Sequence, residues 1–536
     1  MNIEKLIVSG YFPEELLPVF TAEDLKKVIS DVLLLIDTLD PIARNKKQRL
    51  SHCLLFSIPK AGGYRRSLSI PNPLHYIRIS QTIADNWPSI ISHTEKSTIS
   101  VSRLTPGTTR AIAKPNFEEF INGRIIQSVG NRFLLKIDIS RFYKSIYTHS
   151  IPWALHTKTV SKGNRTRTPL FGNALDEDCR KMLDGQTIGL PVGPDSSRII
   201  SEIILSSIDQ ELESTLSQFK GVRIIDDYYL YFSSLSEVET ARSVIHKALR
   251  GYELELNPRK ETVIDLPELM ETNWYKDLKT VRFSNDQKLQ RKELIAFFDK
   301  AFFHAKRVPD DAVLSYAITK IRPTVFHEKN LIILQSLLLN SIVQESRTIA
   351  LLAEILISYN ASKHKLDLTS IKFALEQFII FHCDLNNEFE TSWALWTMKA
   401  LKLNVTESTA KSLSGSSNSI VILVCLDLKQ AGLIKKGLDT SFWMTMMTKE
   451  QLYSENWLLA YEAKLRGWLK TADNYLDLDP FFKVLKDKKV HFYKPRKTLD
   501  TSKVRVAAYD EGEADEKFEL LAKKISETIL SKDLPF

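Results

Sequence analysis

Two short apolar runs interrupted by acidic residues dominate the first half of the chain. Phe133 to Ile139 (FLLKIDI) is apolar except for one Lys and reaches Asp138 near its end, the pattern of a central strand. Val222 to Phe232 (VRIIDDYYLYF) places Ile, Tyr and Phe on both sides of Asp226 and Asp227, which predicts a hairpin with the two carboxylates at its turn. Between them, Asp195 to Phe219 carries Ile199, Ile200, Ile203, Ile204, Ile208 and Leu212 at helical spacing, opened by Pro194. A further helix near Glu237 to Leu249 is expected to precede a strand at Leu254. From about residue 286 the pattern changes. Helical periodicity takes over, as in Leu331 to Val343 and Leu351 to Tyr359, with almost no alternation. These patterns predict an α+β region over residues 1–280 and an all-α region over 281–536, with the boundary near 270–290. No repeat period stands out, so a helical-repeat arrangement rests on the helices alone. The tail turns acidic at Asp510 to Glu516 and is expected to end in an amphipathic helix, Phe518 to Leu530.

Composition narrows the class. A chain of 536 residues exceeds what one core usually supports. With 43% hydrophobic and 26% charged residues and only 18 Gly and 20 Pro, disordered, collagen-like and low-complexity classes are excluded. Met1 to Glu15 lacks the pattern of a secretory signal, and the longest apolar runs, such as Val421 to Leu426, are too short to span a bilayer. A cytoplasmic protein with no membrane partner is expected. Cys53, Cys179, Cys383 and Cys425 lie far apart, without zinc-site spacing or disulfide density, and read as buried or idle thiols.

The net charge of +8 is mild, but its distribution is uneven. Pro41 to Ala84 contains no acidic residue, yet carries Arg44, Lys46, Lys47, Arg49, Lys60, Arg65, Arg66 and Arg78. Ile139 to Leu175 repeats this with Arg141, Lys144, Lys158, Lys162, Arg165 and Arg167. Acid-free basic tracts favour phosphate contact, because nearby carboxylates would repel the backbone that Lys and Arg attract. The competing reading is a solvated basic face.

An Asp-Asp pair alone means little: Asp310-Asp311, beside Pro309 in helical context, is not a catalytic candidate. Asp226 and Asp227 gain weight from Asp138, a third carboxylate at another strand end, followed five residues later by Tyr143. Three carboxylates on adjacent strand ends can hold two divalent cations about 3.5 to 4 Å apart, the arrangement of nucleotidyl transfer.

The order of these motifs resembles the fingers and palm of reverse transcriptases. Ser57 to Pro71 (SIPKAGGYRRSLSIP) resembles the fingers motif. That implies a triphosphate grip by Lys60 and Arg66, with Arg65 assisting or substituting. Lys136 to Tyr143 (KIDISRFY) resembles motif A, with Asp138 as metal ligand and Tyr143 as the aromatic that blocks a ribose 2′-hydroxyl. Gly189 to Arg198 (GLPVGPDSSR) resembles motif B, where Gly193 would support the nascent base pair. Arg223 to Tyr228 (RIIDDY) resembles motif C, and Leu254 to Lys260 (LELNPRK) motif D, implying Lys260 as general acid or phosphate contact. One departure is Ile224, where the family usually carries an aromatic that contacts nucleic acid. The implied fold is a right-hand polymerase with fingers at about 40–130 and palm at about 131–270, followed by the helical region.

Further segments are similar to the abortive-infection polymerases of the AbiK type and their prophage-encoded relatives. They are Tyr147 to Arg165 (YTHSIPWALHTKTVSKGNR), Ser196 to Asp209 (SSRIISEIILSSID), Gly10 to Leu17 (GYFPEELL), Trp393 to Trp396 and Trp457 to Trp468. This resemblance implies a phage-defence enzyme that forms homo-oligomers. It implies synthesis of single-stranded DNA from dNTPs with two Mg²⁺ ions, Mn²⁺ being the alternative, without a template and from a tyrosine of the protein itself. The product would then be covalently attached. Of the 17 tyrosines, Tyr11 and Tyr509 are the candidates, the first in a short N-terminal motif and the second in a polar segment. Packing is the commoner role for either. His149 and His156 read as structural or phosphate-facing. The four tryptophans read as helix-packing anchors, with a stacking platform for single strands as the alternative. Two rival readings stand beside this one: a defence reverse transcriptase copying a non-coding RNA, and a nucleic-acid-binding scaffold with an idle palm.

Overall fold

The computed structural model describes residues 1–43, 49–216 and 220–506, with side chains described outside 37–43. The structure is α+β. Two strands, β1 (Leu54–Pro59) and β2 (Arg65–Ile70), form an antiparallel hairpin. Helix α1 (Pro73–Asp85) follows, capped by Asn72, and α2 (Phe117–Ser128) leads into β3 (Phe133–Asp138). Then come α3 (Asp195–Thr215), β4 (Lys220–Ile224), β5 (Asp227–Phe232), α4 (Leu235–Gly251) and β6 (Thr262–Asp265). Strands β3 to β6 make one antiparallel sheet in the order β4-β5-β3-β6.

The central strands β3 and β5 are packed on both faces, which explains why they are nearly continuous apolar runs. Leu135, Ile137, Tyr228, Leu230 and Phe232 point into the main core with Val238 and Ala241 of α4. Alternation sends Leu134, Tyr229 and Tyr231 to the other face, where they meet Phe120 of α2 and Val222. Asp138 and Asp227 have the parity of this second face.

From α5 (Gln287–Arg307) onward the described chain is helical. It continues through α6 (Leu331–Gln344), α7 (Ile349–Ala361), α8 (Leu368–Asp384), α9 (Glu388–Ala400), α10 (Ser419–Gln430) and α11 (Trp457–Leu465). One continuous hydrophobic core runs from Leu6 to Tyr493 and includes residues of both halves. Trp393, Trp396 and Trp457 are buried in it, and Trp468 packs on Tyr493, in keeping with packing anchors. Cys53, Cys179 and Cys425 are buried, Cys383 is partly so, and all are free thiols.

Two sequence expectations differ from the structure, and one lies beyond the described residues. Leu254 is buried but not in a strand; this segment touches the sheet through one bridge, Ile139 to Leu256, before Pro258 ends the extended run. The strand comes later, at Thr262–Asp265. Pro194 is the N-cap of α3, one position before the first turn, and the helix ends at Thr215. The acidic tail segment, the helix expected at Phe518 to Leu530 and Tyr509 lie outside the described residues. No described helix is long and apolar enough to cross a membrane.

Candidate active site

The turn joining β4 to β5 is only Ile225 and Asp226, since Ile224 pairs with Asp227. Ile225 adopts φ 53°, a left-handed conformation that a β-branched side chain rarely takes. It is held from two sides: its amide donates to Ser102 Oγ at 2.8 Å, and its carbonyl accepts from Arg223 Nη1 at 2.9 Å. Arg223 is itself fully buried. It binds Asp209 through Nε and Nη2, the latter at 2.6 Å, and Glu202 through Nη2 at 2.8 Å and Nη1 at 3.1 Å. Tyr228, Ser97 and Ser100 donate to the same two carboxylates. Sequence reasoning missed this platform under the hairpin. The signal was available, because an Arg inside a strand facing a helix that carries Glu202 and Asp209 needs buried partners.

The register of β3 and β5 sets Asp138 directly opposite Asp227. Opposed residues have Cβ atoms about 4.5–5.5 Å apart and side chains on one face, so the two carboxylates stand together, with Asp226 adjoining at the turn. Burial, then the charge of Asp227, pushes the Asp226 carboxyl up to about 6. Burial and Asp138 likewise raise Asp227. Both oxygens of Asp138 are engaged: Lys260 Nζ donates to Oδ2 at 2.7 Å and Asn257 Nδ2 to Oδ1 at 3.0 Å. The Asn257 amide also donates to the Asp138 carbonyl, tying the Leu254–Lys260 segment to the end of β3. Asn257 is a second contributor that sequence reasoning passed over.

Lys60 lies just beyond β1, where its amide donates to the Tyr64 carbonyl and closes the hairpin. Its ammonium is lowered by partial burial and by Arg66 and Lys260, and supported by Asp138 and Asp226, so all five groups share one field. Strand alternation separates the two arginines of β2. Arg66 shares a face with Phe56, Ile58 and Leu68, whereas Arg65 shares the other with Ser57. Arg65 is engaged away from Arg66: both its Nη groups bind Glu390 of α9, at 2.8 and 2.9 Å.

Tyr143 packs against the core with its hydroxyl 3.4 Å from Ser201 Oγ, and burial pushes its phenol up to about 12. Gly193 has φ 124°, and a Cβ there would stand 2.5 Å from Pro13 Cγ, so only glycine fits between motif B and the N-terminal segment. Arg110 completes this junction, donating to the Phe12 and Gly193 carbonyls and to Asp195.

Tyr11 is not presented to the carboxylates. Its ring stacks with Phe12 and Tyr76, it is fully buried, and its hydroxyl donates to the Pro71 carbonyl. Burial raises its phenol well above the ordinary range, the opposite of what an activated nucleophile needs. His149 pairs with Asp176 at 2.7 Å and His156 accepts from the Gly172 amide, both structural roles. The basic tracts are partly neutralised by acids outside them: Arg49 pairs with Asp479, Arg78 and Arg167 with Asp178. Asp311 accepts from the Trp274 indole and plays no part in the cluster.

Among the described residues, no three His, Cys, Asp or Glu side chains gather into a ready-made metal cage. The donor chemistry nevertheless fits divalent cations. Burial, then the neighbouring carboxylates, has raised two of the three, and Lys260 already places a positive charge on the third.

The reverse transcriptase (RNA-dependent DNA polymerase) family matches residues 58–291. No curated protein matches the chain. Similar solved structures include apo telomerase from Candida tropicalis truncated from its C-terminal domain, at 14% identity and TM-score 0.31, covering 44% of this chain and 54% of that one. Telomerase from Candida albicans with a TWJ fragment of telomeric RNA gives 15% identity and TM-score 0.30, covering 70% and 64%. The chain thus spans just over half, and just under two thirds, of these two structures. Reverse transcriptase domains use divalent metal ions, in line with the carboxylate cluster. Residues 58–291 thus form a reverse transcriptase domain, and Asp138, Asp226 and Asp227 lie inside it.

Proposed function

We propose that this protein is a DNA polymerase of abortive infection that joins deoxynucleotides at Asp138, Asp226 and Asp227 with two Mg²⁺ ions, Mn²⁺ being the alternative. Synthesis starts from a tyrosine hydroxyl of the protein and copies no template. The observation that carries the chemistry is the opposition of Asp138 and Asp227 beside Asp226, in the field of Lys60 and Lys260. The defence role rests on the resemblance of Tyr147 to Arg165 and Ser196 to Asp209 to the abortive-infection polymerases.

Bound divalent ions would favour ionisation of the attacking hydroxyl and offset the charge on the transferred phosphoryl group. The chain's own residues do the rest. Lys60 and Arg66 hold the β- and γ-phosphates, and the Tyr143 ring bars a 2′-hydroxyl. The hydroxyl oxygen bonds to the α-phosphorus, its proton passes to solvent, and the bond to pyrophosphate breaks. Lys260 gives its proton to the leaving pyrophosphate. With Tyr11 buried, Tyr509 is the remaining candidate for the priming hydroxyl. The single-stranded DNA product stays attached to the protein, which works as a cytoplasmic homo-oligomer. Fingers at about 40–130, palm at about 131–270 and a helical unit over 281–536 belong to this reading.

Purified protein incubated with each labelled dNTP and Mg²⁺, without template or primer, should carry label on a denaturing gel. Asp226→Ala with Asp227→Ala should abolish it. Label that appears only with added RNA would favour the templated reverse transcriptase. No dNTP consumption under either condition would leave the scaffold reading.

A further inference from the structure

Besides the Trp457 indole bond to the Ile70 carbonyl, the hairpin that bears Lys60 and Arg66 is gripped by the helical half at four places. Asn418, at the start of α10, donates to the Leu55 carbonyl at 2.8 Å. Glu388 accepts from the Ser57 amide at 3.1 Å. At the tip, the Gly62 amide donates to the Pro309 carbonyl at 2.6 Å, and the Asp310 side chain lies against Gly62, which holds φ 79°. The fourth contact is ionic: Arg65 meets Glu390, a side chain at 0% exposure that also accepts from Ser346 Oγ at 2.9 Å. Arg65 Nε and Nη2 return to Ser57 Oγ and the Ser57 carbonyl, so the pair ties both strands to α9.

A two-stranded ribbon is marginal by itself, and an unsupported one would sample many positions relative to the palm. Here the strand pleat sends Arg65 to the helical half and its neighbour Arg66 to the opposite face. Fixing Arg65 therefore fixes the direction of Arg66 and the height of Lys60. We infer that Glu390 is a positioning residue for nucleotidyl transfer, acting through Arg65 to hold Lys60 and Arg66 over the carboxylates. This rests on the polymerase reading above. It gives the helical half a task in dNTP binding: α9 clamps the fingers hairpin in place.

Three variants of the full chain test it: Glu390→Gln, the double replacement Arg65→Met with Glu390→Met, and Tyr461→Phe, which loses a buried hydrogen bond to the Val490 carbonyl. The double variant leaves no stranded charge, so it separates positioning from stability. Hydrogen exchange of amides 54–70 reads the clamp without reference to activity. Both Glu390 variants should speed that exchange and raise the KM for dNTP about fivefold or more, with kcat changed by less than about twofold. Tyr461→Phe should move neither. Unchanged exchange would overturn the clamp. Faster exchange with an unchanged KM would reduce the pair to a structural contact and overturn positioning. A wild type that consumes no dNTP would instead overturn the polymerase reading, while the exchange result still decides the clamp.

Discussion

Arg223 stands between Asp209 and Glu202 with none of the three reaching solvent, so removing it strands two carboxylates. Arg223→Met is expected to cost about 3–5 kcal/mol, read as a lower denaturation midpoint. Arg223 also donates to the Ile225 carbonyl, next to Asp226, so incorporation should fall with stability. His75 makes a second case. It is buried with Nε2 unpartnered, and burial, then Lys181, Arg78 and Arg49, pushes it down to about 3. The unfolded chain binds its proton near the ordinary value of about 6.5. Stability is therefore complete above about 6.5 and is lost as pH falls toward 3, since the unfolded state holds more protons in that window. Urea titrations should lose about 1.4 kcal/mol per pH unit below about 5.5 from this residue, and His75→Gln should remove that part of the slope. Single residues such as Asp138, Asp226 and Asp227 were legible in the sequence because each interrupts an apolar run where a strand ends, turns or begins. Glu390 and Asn257 were not, since nothing local marks a carboxylate or amide that serves a residue hundreds or scores of positions away.

Among the elements, the β4–β5 hairpin was the most legible, because Ile, Tyr and Phe on both sides of two carboxylates leave a turn as the natural place for the charges. The turn itself is strained. Ile225 holds φ 53°, and a β-branched residue there costs about 1–2 kcal/mol relative to one that tolerates the left-handed region. Ile225→Asn is expected to raise stability by about 1 kcal/mol in chemical denaturation while keeping the geometry of Asp226. A loss of stability would mean that Ile225 contributes more by packing than it forfeits in backbone strain. The segment at Leu254 shows the opposite outcome. Its apolar alternation suggested a strand, yet Pro258 and the anchoring of Asn257 on Asp138 turn it across the end of β3. In that position Lys260 reaches the cluster, which a paired strand continuing along the sheet would not achieve.

Across the whole molecule, the two halves share one core. Phe56 of β1 packs near Phe389, Trp457 donates to the Ile70 carbonyl, and Trp393 donates to the Glu15 carbonyl. A chain ending at residue 285 would expose these faces and leave Arg65, Asn72 and Leu55 without their partners across the halves. Such a truncation is expected to lose cooperative unfolding and to aggregate, checked by near-ultraviolet circular dichroism and size-exclusion chromatography. An independently folded, monodisperse fragment would contradict the shared core. The sequence by itself determined the strand-end carboxylates, the change from mixed to helical character near residue 280 and the order of motifs, because periodicity and charge placement are local properties. Only the tertiary structure decided that Arg65 faces away from Arg66's side, that Tyr11 is sealed against Pro71, and that basic tracts are answered by acids outside them. Those outcomes depend on which surfaces meet, and burial there converts a side chain's ordinary chemistry into a structural contact.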